Sequence, residues 1–531
     1  MKRKKKLVMG FDWIGPSGVF LNGVDKKHLD LMIEYGANSS KFKDKFGEKY
    51  IDTSLESYPG TQQPSVGRLG LLSHGQANAD PDEWKIVIAP TFLLTNDVNN
   101  NVELTDANSD KNQEYKYCYN IEIYGNPLNI LGRGGNGHDK SFIEMMPEEV
   151  REDVRRRKCV IVISNIAEGN LAPDFDYPLQ FFEYLYQDLD EFNIPPTNVF
   201  LIINDFLIHK THDKIKNEIL NIDTPSINIL PVCYYRDVYR SNLKEKIESG
   251  DGNTLTKHLN RWKNSKDKIR DYHFLLYNRN PKEHRRIFCT LLYKNNLLDK
   301  MNYSIGGSKG ENGWAQLKDL FQKDALLFNW ISKQFWLDLK SDYIEFAKKV
   351  PIFCSDDHID DMNKSVDYGM QIVENHYKNS YIHIVTESAY WEEVMFFTEK
   401  TFKPIAYFQP FIMVGNPGML KKLREFGYKT FSPFIDESYD LEKNPELRMK
   451  MIIEEIRKLN SKTVNEIHEF YWNLSEILEH NFRTYFDAKW SITHTFIFET
   501  LWNHLDDNDI DREHDMINYG INRNRALFCE E

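Results

Sequence analysis

Cysteine is scarce in this chain of 531 residues, and none of the six is placed in a Cys-x-x-Cys pair. That spacing excludes a zinc ribbon and gives no disulfide framework. Cys118, Cys159, Cys233, Cys289, Cys354 and Cys529 are scattered, as expected of reduced thiols in a cytoplasmic protein. Long hydrophobic runs are also missing. No stretch of about 18 apolar residues occurs, so no membrane span and no membrane partner are expected. Only Leu7-Val8-Met9 separates the basic start Met1-Lys2-Arg3-Lys4-Lys5-Lys6 from Gly10, too little for a signal-peptide core. The basic start reads as a solvated end. Internal repeats are absent, and low complexity is confined to short Asn/Asp-rich pieces. Positive charge is outnumbered: 67 Lys and Arg against 80 Asp and Glu give a formal charge of −13. This disfavours a generic nucleic-acid coat, although a local basic cleft stays open.

Apolar and aromatic material is abundant. Hydrophobic residues make up 41% and aromatics 13%, including 33 Phe and 28 Tyr, enough for a folded chain of several domains. Residues 7–11 and 84–89 read as strands in a loop-rich first stretch, with 95–113 a polar loop. From residue 157 the pattern is α/β. The runs at residues 159–163 and 199–203 are uninterrupted and apolar, as buried parallel strands should be. Between them, Leu179, Phe182, Leu185, Leu189 and Phe192 recur at helical spacing, completing a βαβ unit. Residues 227–232 are a third strand. A charged stretch over 240–270, centred on Ser249-Gly250-Asp251-Gly252-Asn253, places a domain boundary near residue 265. Beyond it, strands are expected at 273–277, 381–385 and 410–414, with a helix over 283–295. Residues 445–505 read as helical and 506–531 as an acidic tail.

Chemistry concentrates in the second half. Asn278-Arg279-Asn280 follows a strand and opens a helix bearing Arg285 and Arg286, a place where backbone amides and arginines can hold an anion. A second strand runs into Thr386-Glu387-Ser388. Then Phe397-Thr398-Glu399-Lys400 opens a short helix before the apolar strand that ends at Gly415. A Glu at such a mouth can hold ribose hydroxyls and a Lys can neutralise phosphate.

In this order the blocks resemble the donor domain of the GDP-fucose-dependent fucosyltransferases, over roughly residues 272–440. Asn278 and Arg285 match that family's strand-end Asn and helical Arg, Glu387-Ser388 its Glu-Asn, Thr398-Glu399-Lys400 its Thr-Glu-Lys, and Gly415 its strand-end Gly. The chain differs at Tyr277, Ser388 and Pro404, the last tolerable only in a helix's first turn. The resemblance implies that Arg285 and Lys400 bind a diphosphate and that Glu399 holds the ribose. It implies a GT-B-like α/β fold: two Rossmann-like lobes with parallel sheets facing a cleft, assigned here to residues 1–265 on the acceptor side and 266–505 on the donor side.

Other signals are discounted. Gly132-Arg133-Gly134-Gly135-Asn136-Gly137-His138 lacks a strand–loop–helix setting. Asp174-Phe175-Asp176, Asp188-Leu189-Asp190, Asp356-Asp357-His358-Ile359-Asp360-Asp361 and Asp507-Asn508-Asp509-Ile510-Asp511 read as solvated acids, and neither a metal nor another cofactor is expected. A general base is sought just past a first-half strand, where Glu168 is the first candidate and Asp205 the second, each with a helix-capping role as alternative. The expected activity is inverting, metal-independent transfer from a nucleotide-diphosphate sugar, GDP-sugar favoured, to a glycan or other hydroxyl acceptor. Two alternatives stay open. One is glycosylation of modified DNA bases, with Arg151, Arg155, Arg156, Arg157 and Lys158 as the basic surface for nucleic acid. The other is a non-enzymatic binding or structural protein on a transferase fold.

Overall fold

The computed structural model describes residues 5–11, 84–90, 116–122, 128, 131, 140–165, 176–249, 252–278, 282–306, 330–352, 354, 373–391, 393–487 and 492–506. They form an α/β protein of two compact units, each built on a Rossmann-like parallel sheet.

The first sheet contains β1 (Lys5–Phe11), β2 (Trp84–Pro90), β3 (Tyr117–Glu122), β4 (Cys159–Asn165), β5 (Val199–Ile203) and β6 (Asn228–Pro231), in the order β2-β1-β3-β4-β5-β6. Every pairing is parallel. The continuous apolar runs of β4 and β5 are explained by burial on both faces. One face packs Ile161, Ile163, Leu201 and Ile203 against helix α1 (Asp176–Glu191) through Phe182, Leu185 and Leu189. The other face carries Cys118, Val160, Val162, Phe200 and Ile202.

The second sheet contains β7 (Tyr272–Asn278), β8 (Met301–Ile305), β9 (Ser380–Thr386) and β10 (Phe411–Val414), in the order β10-β9-β7-β8, again all parallel. Helices α2 (Tyr234–Glu248), α3 (Leu255–Lys263), α4 (Glu283–Lys294), α5 (Glu374–Lys378) and α6 (Glu399–Ala406) belong to this unit, as do α7 (Pro445–Asn460), α8 (Val464–Asn473) and α9 (Ser475–Phe486).

The division of the chain differs from the expected one. The units separate at Tyr234 and Tyr235 rather than near residue 265, and the helix over residues 492–506 returns to the first. The charged stretch expected to hold the boundary is largely helix, over residues 234–248 and 255–263. In α3, Trp262 stacks on Phe408 at 4.4 Å and its indole donates to the Tyr471 hydroxyl at 2.6 Å, which fastens α3 to the second unit. The final helix α10 (Ile492–Asp506) sends Ile497, Phe498, Leu501 and Leu505 onto the open face of the first sheet. Strands β3 and β8 were not anticipated. Tyr117-Cys118-Tyr119-Asn120-Ile121-Glu122 and Met301-Asn302-Tyr303-Ser304-Ile305 alternate with polar residues and lack the continuous apolar signature.

Candidate functional site

Strand β7 passes through α4 to β8 on one side, whereas β9 passes through α6 to β10 on the other. The chain therefore diverges between the carboxyl ends of β7 and β9, the switch point where open parallel sheets bind ligands. Asn278, Arg285, Glu387, Thr398, Glu399 and Lys400 are gathered there.

Asn278, the last residue of β7, is fully buried. Its carbonyl accepts from the Thr386 hydroxyl, and its Nδ2 donates to Cys289 Sγ at 3.2 Å. One amide thus joins β7, β9 and α4. From the start of α4, three side chains reach three consecutive carbonyls. Arg285 Nη2 donates to Thr386 O at 3.1 Å and to Glu387 O at 3.0 Å. His284 Nε2 meets Glu387 O at 3.0 Å, and Lys282 Nζ donates to Ser388 O at 2.9 Å. Burial, helped by the Arg285 charge, pushes the His284 imidazole well below its ordinary pKa. It is neutral, with the proton on Nε2 where the carbonyl can accept it.

Glu387 lies where β9 ends and is 1% exposed. Its Oε1 accepts from Thr398 N at 3.1 Å and Thr401 Oγ1 at 2.6 Å. Its Oε2 accepts from Thr398 Oγ1 at 2.7 Å and Ser388 N at 3.2 Å. Gly415 permits this fit: a Cβ there would run into Met419 Sδ and stand 3.5 Å from Glu387 Cβ. Thr398 is the N-cap of α6, and its hydroxyl accepts from Lys400 N at 3.4 Å and Lys400 Nζ at 3.0 Å. A single carboxylate therefore fixes the entry of the helix that presents Glu399 and Lys400.

Those two are mostly buried but not enclosed. Lys400 Nζ lies 3.0 Å from Glu399 Oε1, and the side chains are 23% and 14% exposed. Burial acts to raise the pKa of Glu399, but the charges of Lys400 and Lys403 outweigh it and hold the carboxyl below its usual value. Lys403, one turn further in, is lowered to about 8, chiefly by burial, with Glu399 opposing and Lys400 and Lys246 adding repulsion.

Several expectations are corrected. Arg285, expected on a diphosphate, is 4% exposed and holds backbone carbonyls instead. The Glu387 carboxylate, expected at the ligand edge, is occupied by protein donors. Asp205 is 1% exposed, and its Oδ1 accepts from Leu207 N at 2.9 Å, a local turn contact in place of an open base. Pro404 is the sixth residue of α6, beyond the first turn, where it has no N–H for the Lys400 carbonyl; the helix ends at Ala406. Four members of the basic cluster are paired with acids of the same segment. Arg151, Arg155 and Arg156 meet Glu148 and Glu152 at 2.7–3.1 Å, and Lys158 lies 3.5 Å from Asp153. Glu168, Arg279, residues 132–138, 174–175, 356–361 and 507–511 lie outside the described residues. Among the described residues, no group of three or more His, Cys, Asp or Glu is placed to hold a metal ion, and no helix is long and apolar enough to cross a membrane.

The sequence reading missed His284, Lys282, Thr401 and Lys403. Lys403 had a signal, being four residues after Glu399 on one helix face. His284 had none, because its role depends on which carbonyls β9 brings beside it.

No protein-family model matches the chain, and no curated protein matches its sequence. Among solved structures it is similar to a trehalose-6-phosphate synthase, OtsA, at 9% identity and a TM-score of 0.30, over 65% of this chain and 72% of that one. It is also similar to an alpha,alpha-trehalose 6-phosphate synthase from Burkholderia multivorans, at 8% identity and a TM-score of 0.27, over 62% and 70%. Likenesses this distant carry no argument about this chain.

Proposed function

We propose that the second unit binds the nucleoside diphosphate of a sugar nucleotide and that the protein is a GT-B-type glycosyltransferase. The observation that carries this reading is the Glu399–Lys400 pair, mostly buried yet still reached by solvent, fixed by Glu387 at the switch point of a parallel sheet. Glu399 would accept hydrogen bonds from the two ribose hydroxyls, and Lys400 would turn from Glu399 to neutralise the diphosphate. As the sugar leaves, negative charge grows on that diphosphate, so a cation fixed there stabilises the transition state more than the ground state. Arg285 and Glu387 act behind the pair as positioning residues. The resemblance stated for residues 272–440 favours a GDP-sugar, inversion and no metal, with Glu168 as the base that deprotonates an acceptor hydroxyl.

Calorimetry and thermal shift against GDP, UDP, ADP, CMP and their sugars test the reading, since a ligand of the folded state raises apparent stability by mass action. Binding of one diphosphate and release of that diphosphate from its sugar in the presence of acceptor are the expected results. Failure of every nucleotide to bind the folded protein would sink it. Nucleotide binding by the wild type without any turnover would favour a binding protein instead.

A further inference from the structure

We propose that the first unit holds a site for an uncharged polyhydroxy compound, such as a neutral sugar, at the carboxyl edge of its own sheet. Asn204 is its principal contact and Asn120 its second. The site follows from the first unit alone; that its ligand is the acceptor of sugar transfer rests on the reading above.

The face of the first sheet that α10 covers changes character along the strands. Toward the amino edge it is apolar, where Val160, Val162, Phe200 and Ile202 share a core with Phe498 and Leu501 of α10. Bonds at both ends fix how α10 lies. Lys116, just before β3, donates to Leu505 O, and His504 Nε2 stands 3.3 Å from Asn198 Oδ1, just before β5. Thr493 Oγ1 donates to Cys233 O at 3.5 Å, past the end of β6. The helix therefore starts at the carboxyl edge and runs back toward the amino edge. On the same face, the carboxyl edge is polar. Asn120 pairs with Val162, and Ser164 with Ile202, so both share the face of those apolar residues. Asn204 lies two residues past Ile202 and continues the row. Three adjacent strands, about 4.8 Å apart, thus contribute an amide, a hydroxyl and an amide in a diagonal line.

Ser164 Oγ donates to Asn120 Oδ1 at 3.2 Å, which orients that amide. Its Nδ2 has no hydrogen-bond partner among the described residues, and the side chain is 7% exposed. Asn204 is fully buried, and among the described residues neither its Oδ1 nor its Nδ2 has a partner. Buried amides are paired in the great majority of cases, and an unpaired one costs the fold stability. Two of them on one face, at the edge where open parallel sheets take ligands, fit a binding role better than a packing role. Their chemistry selects the ligand. The two amino groups only donate, and the Asn204 carbonyl only accepts. An anion has no use for the carbonyl, and a cation none for the amino groups. A hydroxyl accepts from one and donates to the other. A compound with several hydroxyls, long enough to span adjacent strands, satisfies all three atoms. Asn204 is enclosed, so such a compound enters by displacing the cover of that edge.

The test is saturation-transfer NMR on the full chain with glucose, galactose, mannose, maltose, lactose and cellobiose. Glucuronate and glucosamine serve as charged counterparts. Wild type, Asn204→Leu, Asn204→Ala and Asn120→Leu are compared, each checked by thermal melting and by nucleotide calorimetry. A neutral sugar should bind the wild type, and the charged counterparts should bind at least about tenfold more weakly. Asn204→Leu and Asn204→Ala should each lose about tenfold or more in sugar affinity, and Asn120→Leu less. Nucleotide affinity should stay within about twofold in all three. Each leucine removes an unpaired amide and keeps its bulk, so neither leucine variant should melt below the wild type. Failure of every sugar to bind the folded wild type would overturn the site, as would wild-type sugar affinity in whichever Asn204 variant folds. A lower melting temperature in Asn204→Leu with sugar binding retained would make the amide a structural anchor only. Sugar binding without any nucleotide binding would keep the site and remove its acceptor role together with the transferase reading.

Discussion

Two acids within the same site are used in opposite ways. Glu387, at the end of β9, gives both oxygens to protein donors: two backbone amides and two threonine hydroxyls. Glu399, at the start of α6, shares its charge with two lysines and keeps part of its surface open. The same division holds for the cations. Arg285 is spent on carbonyls of the adjoining strand end, while Lys400, 23% exposed, is the cation that the proposed function turns toward a ligand. Saturated groups set geometry and incompletely committed groups bind, so the inner row should answer to stability measurements and the outer row to binding measurements.

The largest effect should come from the inner row. Glu387→Ala strands four buried donors, each costing on the order of 1–3 kcal/mol when unsatisfied, so urea denaturation should show a loss of about 4 kcal/mol or more. Glu387→Gln, which keeps the shape and part of the acceptor capacity, should lose less. Equal stability of Glu387→Ala and wild type would refute the claim that this carboxylate organises the loop.

Leu501→Ala sharpens the comparison by acting in the other unit. Leu501 is fully buried in the core shared by α10 and the first sheet, and truncation there should cost about 2–5 kcal/mol. Nucleotide affinity of the folded variant should not change. A parallel loss of affinity would show that the units are energetically inseparable.

Lys400→Ala should reverse the balance. A charged hydrogen bond to phosphate contributes about 1.5–3 kcal/mol, so calorimetry should show affinity reduced about tenfold or more. Stability should change by less than about 1 kcal/mol, because the ion pair with Glu399 is partly exposed. Unchanged affinity would remove Lys400 from the site.

The smallest effect is a pH trend. The Lys403 pKa, about 8 in the folded protein, is depressed below the ordinary lysine value of about 10.4. Between those values the unfolded chain binds the proton that the folded chain has released, so stability rises with pH in that window. Melts of wild type and Lys403→Met at pH 7.5 and pH 10 should show the wild type gaining relative to the variant. A difference between the melts that is flat with pH would argue against a buried lysine with a depressed pKa.

The parts of the site legible in the sequence were those coded over a few residues. Thr398-Glu399-Lys400 announces a capped helix start with an acid and a base, and the structure makes Thr398 the N-cap of α6. The apolar runs of β4, β5, β7, β9 and β10 announced buried strands for a similar reason: parallel strands covered on both faces need no polar alternation. Strand β3 was hidden because Asn120 and Glu122 interrupt the run; the Asn120 carbonyl accepts from Ser164 Oγ of the next strand at 3.2 Å, a partner no local window contains. The role of Arg285 was misread for the same reason. An arginine at a helix start beside a strand end fits an anion as well as it fits a carbonyl, and the choice depended on β9 arriving beside β7.

By itself, the sequence determined where the continuously apolar strands lie and which short segment pairs an acid with a base at a helix mouth, since periodicity and capping act over neighbouring residues. Tertiary structure alone decided that α3 packs on the second unit, that α10 returns to cover the first sheet, and that Glu387 is enclosed while Glu399 is shared between Lys400 and Lys403. These outcomes depend on which distant surfaces exclude water together and which charges then lose their solvent. Burial sets the strength and the partner of every polar group in the site, and burial is a property of the whole packed unit.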